Sequence, residues 1–226
     1  MQRKELIQQV RRIYSERKNL LLVGPAGIGK TALLLEVRQS LALEICDEAS
    51  SLGCLCNSLE QRLGWNHGKL TLIERKNRLL QYFGQRREPI VFDNLAAVPP
   101  RVARFVAHLT GLLPVWITCR SDQRKEIGHV WEHLYSFVHI EVPPLSLAET
   151  SAVIEHAVVS GIVQSDTFRY RNDIHRISKG IPRILDQLLV ELASRHYQMD
   201  RSSGLKLLEL DRKIRQLAAA TSEARQ

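Results

Sequence analysis

Eight residues near the start of the chain have the types and the spacing of a phosphate-binding loop. The pattern G-x-x-x-x-G-K-[ST] is met by Gly24, Pro25, Ala26, Gly27, Ile28, Gly29, Lys30 and Thr31. Glycines let the backbone turn so that several N–H groups point at one anion. Lys30 can reach the β and γ phosphates of a nucleotide, and the Thr31 hydroxyl can bind Mg²⁺. The segment therefore predicts a nucleotide site.

A strand and a helix are predicted on either side of this loop. Residues 19–23 are apolar and end at a glycine, which is typical of a strand buried on both faces. Residues 31–40 carry leucines and a valine at helical spacing. A helix that starts at the loop adds the positive end of its dipole to the anion site. This order favours a nucleotide site over a glycine-rich turn without a ligand.

A second strand is predicted over residues 89–92, and it ends at Asp93. A carboxylate at the carboxyl end of a buried strand next to the loop is where Mg²⁺ needs a ligand, so Asp93 is predicted to be the Walker B aspartate. The next residue is Asn94, whose side chain cannot accept a proton from an attacking water. Three outcomes stay open: slow hydrolysis, hydrolysis that uses another carboxylate, or none.

The remaining strand patterns predict an α/β fold. Apolar runs at 41–46, 114–118 and 137–142 alternate with helical patterns, so we expect a five-stranded parallel sheet with helices on both faces. Ligands bind at the carboxyl ends of such strands, and Thr118 and Arg120 follow one of these ends. Thr118 could sense a γ-phosphate and Arg120 could stabilise its charge. A solvated surface arginine is the alternative for Arg120.

The pattern changes after Pro143 and becomes helical only. Helices are predicted over 147–160, 165–179 and 182–198, and Ser146 with Glu149 fits a capping box at the first of them. The expected organisation is a nucleotide-binding domain (1–145), a small helical lid (146–200) and a basic helical tail (201–226). Arg183 follows Pro182 at the start of a helix, from where a guanidinium can reach a phosphate when the lid closes.

The chain resembles an AAA+ or closely related STAND-type P-loop ATPase, similar to compact bacterial transposition ATP-binding subunits, secretion-type ATPases and origin-recognition ATPases. The resemblance is carried by GPAGIGKT (24–31), IVFDN (90–94), ITCR (117–120), VPPLSLAET (142–150) and GIPR (180–183). In order and spacing these segments match Walker A, Walker B, sensor 1, the core-to-lid junction and sensor 2.

This resemblance implies a P-loop αβα sandwich with a C-terminal helical lid, and ATP with Mg²⁺ as ligands. It implies that Lys30 and Thr31 bind phosphates and Mg²⁺, that Asp93 binds Mg²⁺, and that Thr118 or Arg120 senses the nucleotide. Arg183 would couple the lid to the γ-phosphate. It also implies a homo-oligomer, in which Arg120 or Arg124 completes the site of the next subunit.

The charge balance leaves the class of macromolecular partner open. The net charge of +8 attracts nucleic acid or acidic proteins, but many basic proteins bind no DNA. No apolar run is long enough to span a membrane, the N-terminal residues are charged rather than signal-like, and the four cysteines fit neither a disulfide framework nor paired zinc ligands. A cytoplasmic protein with reduced thiols is expected.

Three functions agree with these patterns to different degrees. The first is an ATP-dependent conformational switch or remodelling ATPase, and the second is a non-hydrolysing, ATP-stabilised adaptor for DNA or protein. The third, a small-molecule P-loop kinase, is weakened by the C-terminal place of the helical part. Residues 2–18 predict an amphipathic helix. The resemblance implies that this helix borders the adenine, and a helix that only packs on the core is the alternative. Residues 205–226 predict a helix that docks on a partner or is solvated.

Overall fold

The computed structural model describes residues 2–66 and 68–193. The chain divides into two compact units, one that ends at Pro143 and one that begins at Pro144. The expected basic tail, residues 201–226, and the end of the last predicted helix, residues 194–198, lie outside the described residues.

The first unit contains one five-stranded parallel sheet with the strand order β2-β3-β4-β1-β5. Its strands are β1 (Leu20–Val23), β2 (Glu44–Cys46), β3 (Ile90–Leu95), β4 (Val115–Cys119) and β5 (Val138–Glu141). The predicted α/β fold with a five-stranded parallel sheet is thus confirmed. The inner strands are rich in apolar residues because both of their faces are covered, and every residue of β4 is buried.

Six α-helices and one 3-10 helix surround this sheet in the described part of the unit. They are α1 (Gln2–Ser15), α2 (Lys30–Arg38), α3 (Leu52–Arg62), α4 (Leu72–Gly84), α5 (Pro100–Thr110), α6 (Arg124–Ile127) and the 3-10 helix His129–Ser136. Helix α1 contacts α2, whereas α3, α4 and α5 contact one another. The large apolar cluster of the unit lies between these last three helices and the sheet.

Strand β2 is shorter than predicted. The apolar run 41–46 predicts a strand over its full length, but the strand begins only at Glu44. The reason is local, since the N–H groups of Ser40 and Leu41 both donate to the carbonyl of Val37 and so extend the end of α2. A run of apolar residues does not show which of them still belong to the helix before it.

Helices α3 and α4 fill the connection between β2 and β3 and are not among the predicted elements. A buried ion pair joins them: the Arg75 guanidinium donates to Glu60 through Nε at 2.9 Å and also bonds Asn57. Thr71 begins α4 with a capping box that includes Glu74. Because charged residues are usually exposed, no sequence pattern indicated that these two would be buried together.

The stretch between β4 and β5, where a helical pattern was expected, is not one continuous helix. It forms the short helix α6 and then the 3-10 helix, and Gly128 separates them with φ 75°. The backbone of Gly128 pairs with Val98, and the next N–H, that of His129, donates to the Val98 carbonyl. This pairing pulls the chain out of a continuous helix.

The second unit is helical in its described part. Its elements are α7 (Leu147–Val159), a 3-10 helix (Ser165–Tyr170), α8 (Arg171–Ser178) and α9 (Pro182–Ala193). The capping box predicted for Ser146 and Glu149 is confirmed at the start of α7. A small apolar core is formed by residues of three helices, among them Ile154, Ile174 and Leu188.

The four cysteines are free thiols. Burial raises the pKa of Cys56 and of Cys119 to about 11, so both stay neutral at physiological pH. Among the described residues, no helix combines the length and the apolar character that crossing a bilayer requires.

Gly128 offers a test of the fold. A Cβ at this position would lie 2.4 Å from the Val98 nitrogen and 2.6 Å from its carbonyl oxygen, at a positive φ. We expect Gly128→Ala to lower the free energy of unfolding by about 3 kcal/mol in urea denaturation, because both strain and overlap act on backbone atoms. Gly64→Ala is the matched control, since Gly64 has φ 66° and no atom within 4 Å. A cost of about 1 kcal/mol is expected there, and equal losses would contradict the role of Val98.

Candidate nucleotide site

The loop between β1 and α2 ends in a helix start that is open to a ligand. Gly29 is the N-cap residue of α2 with φ 101°, and no side chain caps the helix. The first N–H groups of a helix have no partner within the helix, so here they are available to an anion, with the helix dipole in support. Gly24, at the start of the loop, donates its N–H to the carbonyl of Cys119 on β4, which ties the loop to the sheet.

Lys30 lies over this loop rather than in solvent. Its amine donates to the carbonyl oxygens of Gly24 at 2.6 Å and Pro25 at 3.2 Å, and the residue is only 7% exposed. Burial lowers the pKa of Lys30, and the nearby positive charge of Arg120 acts in the same direction, while Asp93 opposes the shift. A cation with little water around it interacts strongly with phosphate oxygens.

The carboxylate of Asp93 is held by two threonine hydroxyls. The Thr31 hydroxyl donates to Oδ2 of Asp93 at 2.8 Å, and the Thr118 hydroxyl donates to Oδ1 at 2.5 Å. Asp93 is 9% exposed and Thr118 is fully buried. The structure therefore brings together three residues from the start of α2, from β3 and from β4, at the edge of the sheet where the loop begins.

The second strand was predicted to end at Asp93. Strand β3 instead continues to Leu95, with an irregularity in its pairing between Phe92 and Leu95. Asn94 lies within it with φ 56°, and its N–H donates to the Thr118 hydroxyl at 2.8 Å. Asparagine adopts this left-handed conformation more readily than glutamate. The backbone thus supplies a reason for asparagine at this position that is separate from any catalytic role.

Thr118 and Arg120 are placed differently from each other. Thr118 was expected just past the end of a strand, but it lies inside β4, where its hydroxyl is already engaged by Asp93 and Asn94. Arg120 follows β4, is exposed, and is close enough to Lys30 to lower its pKa. Arg124 is also exposed and lies 3.5 Å from Glu132.

Arg3 is a cation at the loop that the sequence pattern did not single out. Its Nε and Nη2 atoms each lie 3.0 Å from a Glu36 oxygen on α2. Its Nη1 atom lies 3.6 Å from the position that a Cβ on Gly29 would occupy. The only available signal was the place of Arg3 at the start of the helix before β1, and that did not separate it from the other basic residues of α1.

Arg183 belongs to the second unit, where it is exposed in the first turn of α9. The segment before it is tightly built: the N–H of Leu145 donates to the carbonyl of Gly180 at 2.8 Å, and a Cβ on Gly180 would come within 2.3 Å of the Leu145 carbonyl oxygen. The role predicted for Arg183 in sensing phosphate stays a prediction.

The residues at the edge of the sheet fit a magnesium ion. Mg²⁺ prefers oxygen ligands and is usually held by few protein groups together with phosphates. Thr31 and Asp93 supply a hydroxyl and a carboxylate that are in hydrogen-bond contact. The donor set therefore agrees with the ion that the sequence predicts.

Comparisons with known proteins find similar folds but no similar sequences. No protein-family model matches the chain, and no curated protein matches it in sequence. Among solved structures, the Orc1 protein of Aeropyrum pernix in complex with DNA aligns with TM-score 0.62 and 15% identity over 92% of this chain and 65% of that one. Cdc6p of Pyrobaculum aerophilum aligns with TM-score 0.62 and 14% identity over 82% of this chain and 60% of that one.

The Walker-type ATPase of Pyrococcus abyssi aligns with TM-score 0.64 and 14% identity over 99% of this chain and 75% of that one. The chain thus spans just under two thirds of the Orc1 and Cdc6p chains. The chain shares its fold with these proteins, one of which is a Walker-type ATPase, and the P-loop α/β fold that the motifs predict is confirmed.

Thr118 allows a direct test of the site geometry. Thr118→Val keeps the volume but removes the hydroxyl, which leaves an Asp93 oxygen without its donor and the Asn94 N–H without its acceptor. We expect the free energy of unfolding to fall by about 1–3 kcal/mol in chemical denaturation. Thr118→Ser keeps the hydroxyl and should cost about 1 kcal/mol for the lost methyl group. A larger loss in the serine variant would contradict the hydrogen-bond role.

Proposed function

We propose that the protein binds ATP with Mg²⁺ and acts as a nucleotide-dependent conformational switch or remodelling subunit. The observation that carries the proposal is the hydrogen-bonded set of Thr31, Asp93 and Thr118 beside the loop that holds Lys30. Each of these residues has another possible role alone. Together they place a lysine amine, two hydroxyls and a carboxylate at one edge of the sheet. A triphosphate with Mg²⁺ requires such groups close to one another.

Binding would use the cations and N–H groups that surround the loop. Lys30 exchanges its carbonyl contacts with Gly24 and Pro25 for oxygens of the β and γ phosphates. The free N–H groups at the start of α2 bind the same phosphates. The Nη1 group of Arg3 adds a further donor near Gly29, because Glu36 engages the other side of the guanidinium.

Thr31 and Asp93 would hold Mg²⁺. Bound there, the ion would neutralise charge on the β and γ phosphates. The Thr118 hydroxyl keeps the Asp93 carboxylate in one orientation, since it donates to Oδ1 and leaves Oδ2 towards Thr31. The N–H of Asn94 in turn donates to Thr118, so this orientation is set by the backbone of β3 as well as by β4.

The switch would arise from the difference in charge between ATP and ADP. We assign Arg183, on the helical unit, to the γ-phosphate, because its position after GIP at the start of a helix matches sensor 2. A guanidinium that gains a partner only with ATP makes the closed arrangement more stable with ATP than with ADP. Loss of the γ-phosphate then favours opening.

Hydrolysis is proposed to be slow. Asn94 stands where a glutamate would activate the attacking water, and an amide is a poor base. Its left-handed backbone conformation favours asparagine for steric reasons. The same observation supports the second candidate function, a non-hydrolysing adaptor that ATP stabilises and that binds nucleic acid or protein.

The proposal includes partners beyond ATP. The net charge of +8 suits an acidic partner, and the structure of Aeropyrum pernix Orc1 is a complex with DNA. Assembly of identical subunits would place Arg120 or Arg124, both exposed, at the site of a neighbour. The proposed partners are therefore nucleic acid or an acidic protein.

Phosphate release from ATP separates the two candidate functions. We expect slow release from the wild type, above the background of Lys30→Ala, which should lose nucleotide binding. Asn94→Glu should raise the rate by about 100-fold, because a general base typically contributes that much or more. Asn94→Gln is the matched control, with the same length and no carboxylate, and should not raise it. Wild-type release equal to the Lys30→Ala background, with ATP still bound, would instead establish the adaptor.

Arg183 tests the switch. Arg183→Ala should leave the affinity for ADP unchanged and weaken the affinity for ATP about 10-fold or more, because only ATP offers the γ-phosphate. Isothermal titration with both nucleotides measures the difference. Arg169→Ala removes another exposed arginine of the same unit and should change neither affinity. An equal loss of ADP and ATP affinity in Arg183→Ala would refute the switch role.

A further inference from the structure

A groove on the first unit gathers positive charge on side chains that do not belong to the nucleotide site. It lies between α3, α4 and α5 and encloses a cavity of about 230 Å³. Residues that line it include Leu52, Lys76, Arg101, Arg104, Phe105 and His108. None of the residues that line the groove belongs to the phosphate-binding loop, and Asp93 is not among them.

The basic residues of the groove lie along one face of α5, with a lysine on the opposite side. Arg101, Arg104 and His108 follow each other at intervals of three and four residues, which places them on one side of α5 over about 10 Å. Lys76 reaches the groove from α4. Within the residues that the structure describes, no carboxylate lines the groove, and Lys76, Arg101 and Arg104 form no ion pair. The charge of the groove is therefore not neutralised by the unit itself.

Arg101 is placed against the preference of its own helix. It lies in the first turn of α5, which contains no acidic residue. The positive end of the helix dipole stabilises acidic side chains and disfavours basic ones at this position. An anionic partner bound in the groove would remove this conflict, because it would be attracted by the arginine and by the helix start together.

We propose that this groove, which we call the α5 groove, binds the phosphodiester backbone of a nucleic acid duplex without reading its sequence. Affinity for a polyanion arises from the release of counterions and needs only positive charge at suitable spacing. An acidic peptide would need apolar area as an anchor. Of the apolar side chains that line the groove, Phe105 is only 2% exposed and Leu52 and Leu80 are half-buried, whereas the arginines are exposed. The observations therefore favour the phosphate backbone over a protein segment.

The lining of the groove also favours a duplex over a single strand. Proteins that bind single strands stack successive bases on exposed aromatic side chains. Of the two rings that line the α5 groove, Phe105 is buried and only the imidazole of His108 is exposed, so the groove has no row of ring faces on which successive bases could stack. The exposed side chains of the groove are Arg101, Arg104 and His108, which can donate to phosphates. Contacts of this kind position a duplex but do not specify bases.

The test is a binding titration of the full chain with a labelled DNA duplex of random sequence, in the absence of nucleotide. Fluorescence anisotropy at several salt concentrations gives both the affinity and its salt dependence. We expect the double variant Arg101→Gln, Arg104→Gln to bind about 10-fold or more weakly at low salt. The slope of log K against log salt concentration should fall by about 0.9 for each lost phosphate contact.

The matched control is Arg86→Gln, Arg87→Gln, which removes the same net charge from two exposed arginines of the same unit that do not line the α5 groove. This control should keep most of the affinity and of the salt slope. Equal losses in both double variants would show that binding follows net charge, and the assignment to the α5 groove would be wrong. Thermal unfolding should be unchanged in Arg101→Gln, Arg104→Gln, because both side chains are exposed. A small loss of stability is expected in the control, because Arg86 lies over the Tyr82 ring and bonds its hydroxyl.

Two competitors test the class of partner. The competitors are compared at equal concentrations of negative charge. Unlabelled duplex should displace the probe at a lower concentration than polyglutamate or a single strand of the same sequence. If polyglutamate competes as well as duplex, an acidic protein is the partner and the proposal fails. If the single strand competes better than duplex, the argument from stacking fails. Since the titration contains no nucleotide, a failure of the proposed ATP switch would leave its result unaffected.

Discussion

The site depends on one carboxylate held in place by two hydroxyls. Asp93 accepts hydrogen bonds from Thr31, at the start of α2, and from Thr118, inside β4. A carboxylate that is 9% exposed is stable only when its oxygens have partners, so these bonds also fix where the loop helix lies against the sheet. The arrangement that would bind a nucleotide is therefore part of the core of the first unit.

The same region contains a group whose charge is costly to the fold. Lys30 is buried against backbone carbonyls, and this burial lowers its pKa. A lysine that loses water without a full anionic partner reduces stability, whereas a phosphate would supply that partner. Asn94, with its left-handed backbone, is a second unusual position within the site. Unusual backbone conformation and buried charge gathered at one sheet edge are typical of functional regions.

Positive charge is used in two different ways on the first unit. At the loop, Lys30 and Arg3 are held by carbonyl or carboxylate groups close to a helix start, which suits one compact anion. In the α5 groove, Arg101 and Arg104 are exposed and unpaired among the described residues, which suits an extended anion. Both arrangements combine basic side chains with the start of a helix, but only the first is closed by hydrogen bonds to the sheet.

The sequence by itself determined the glycine-rich loop, the strand and the helix that flank it, the place of Asp93 and the capping box of Ser146, because each depends on residues that are neighbours in the chain. It did not determine the partners of Asp93, the place of Thr118 inside β4, the buried pair of Glu60 and Arg75, or the approach of Arg3 to Gly29. These contacts join residues that lie far apart in the chain or on different elements. Only the register of parallel strands and the contacts between helices decide which of many similar side chains meet, and no local spacing contains that information.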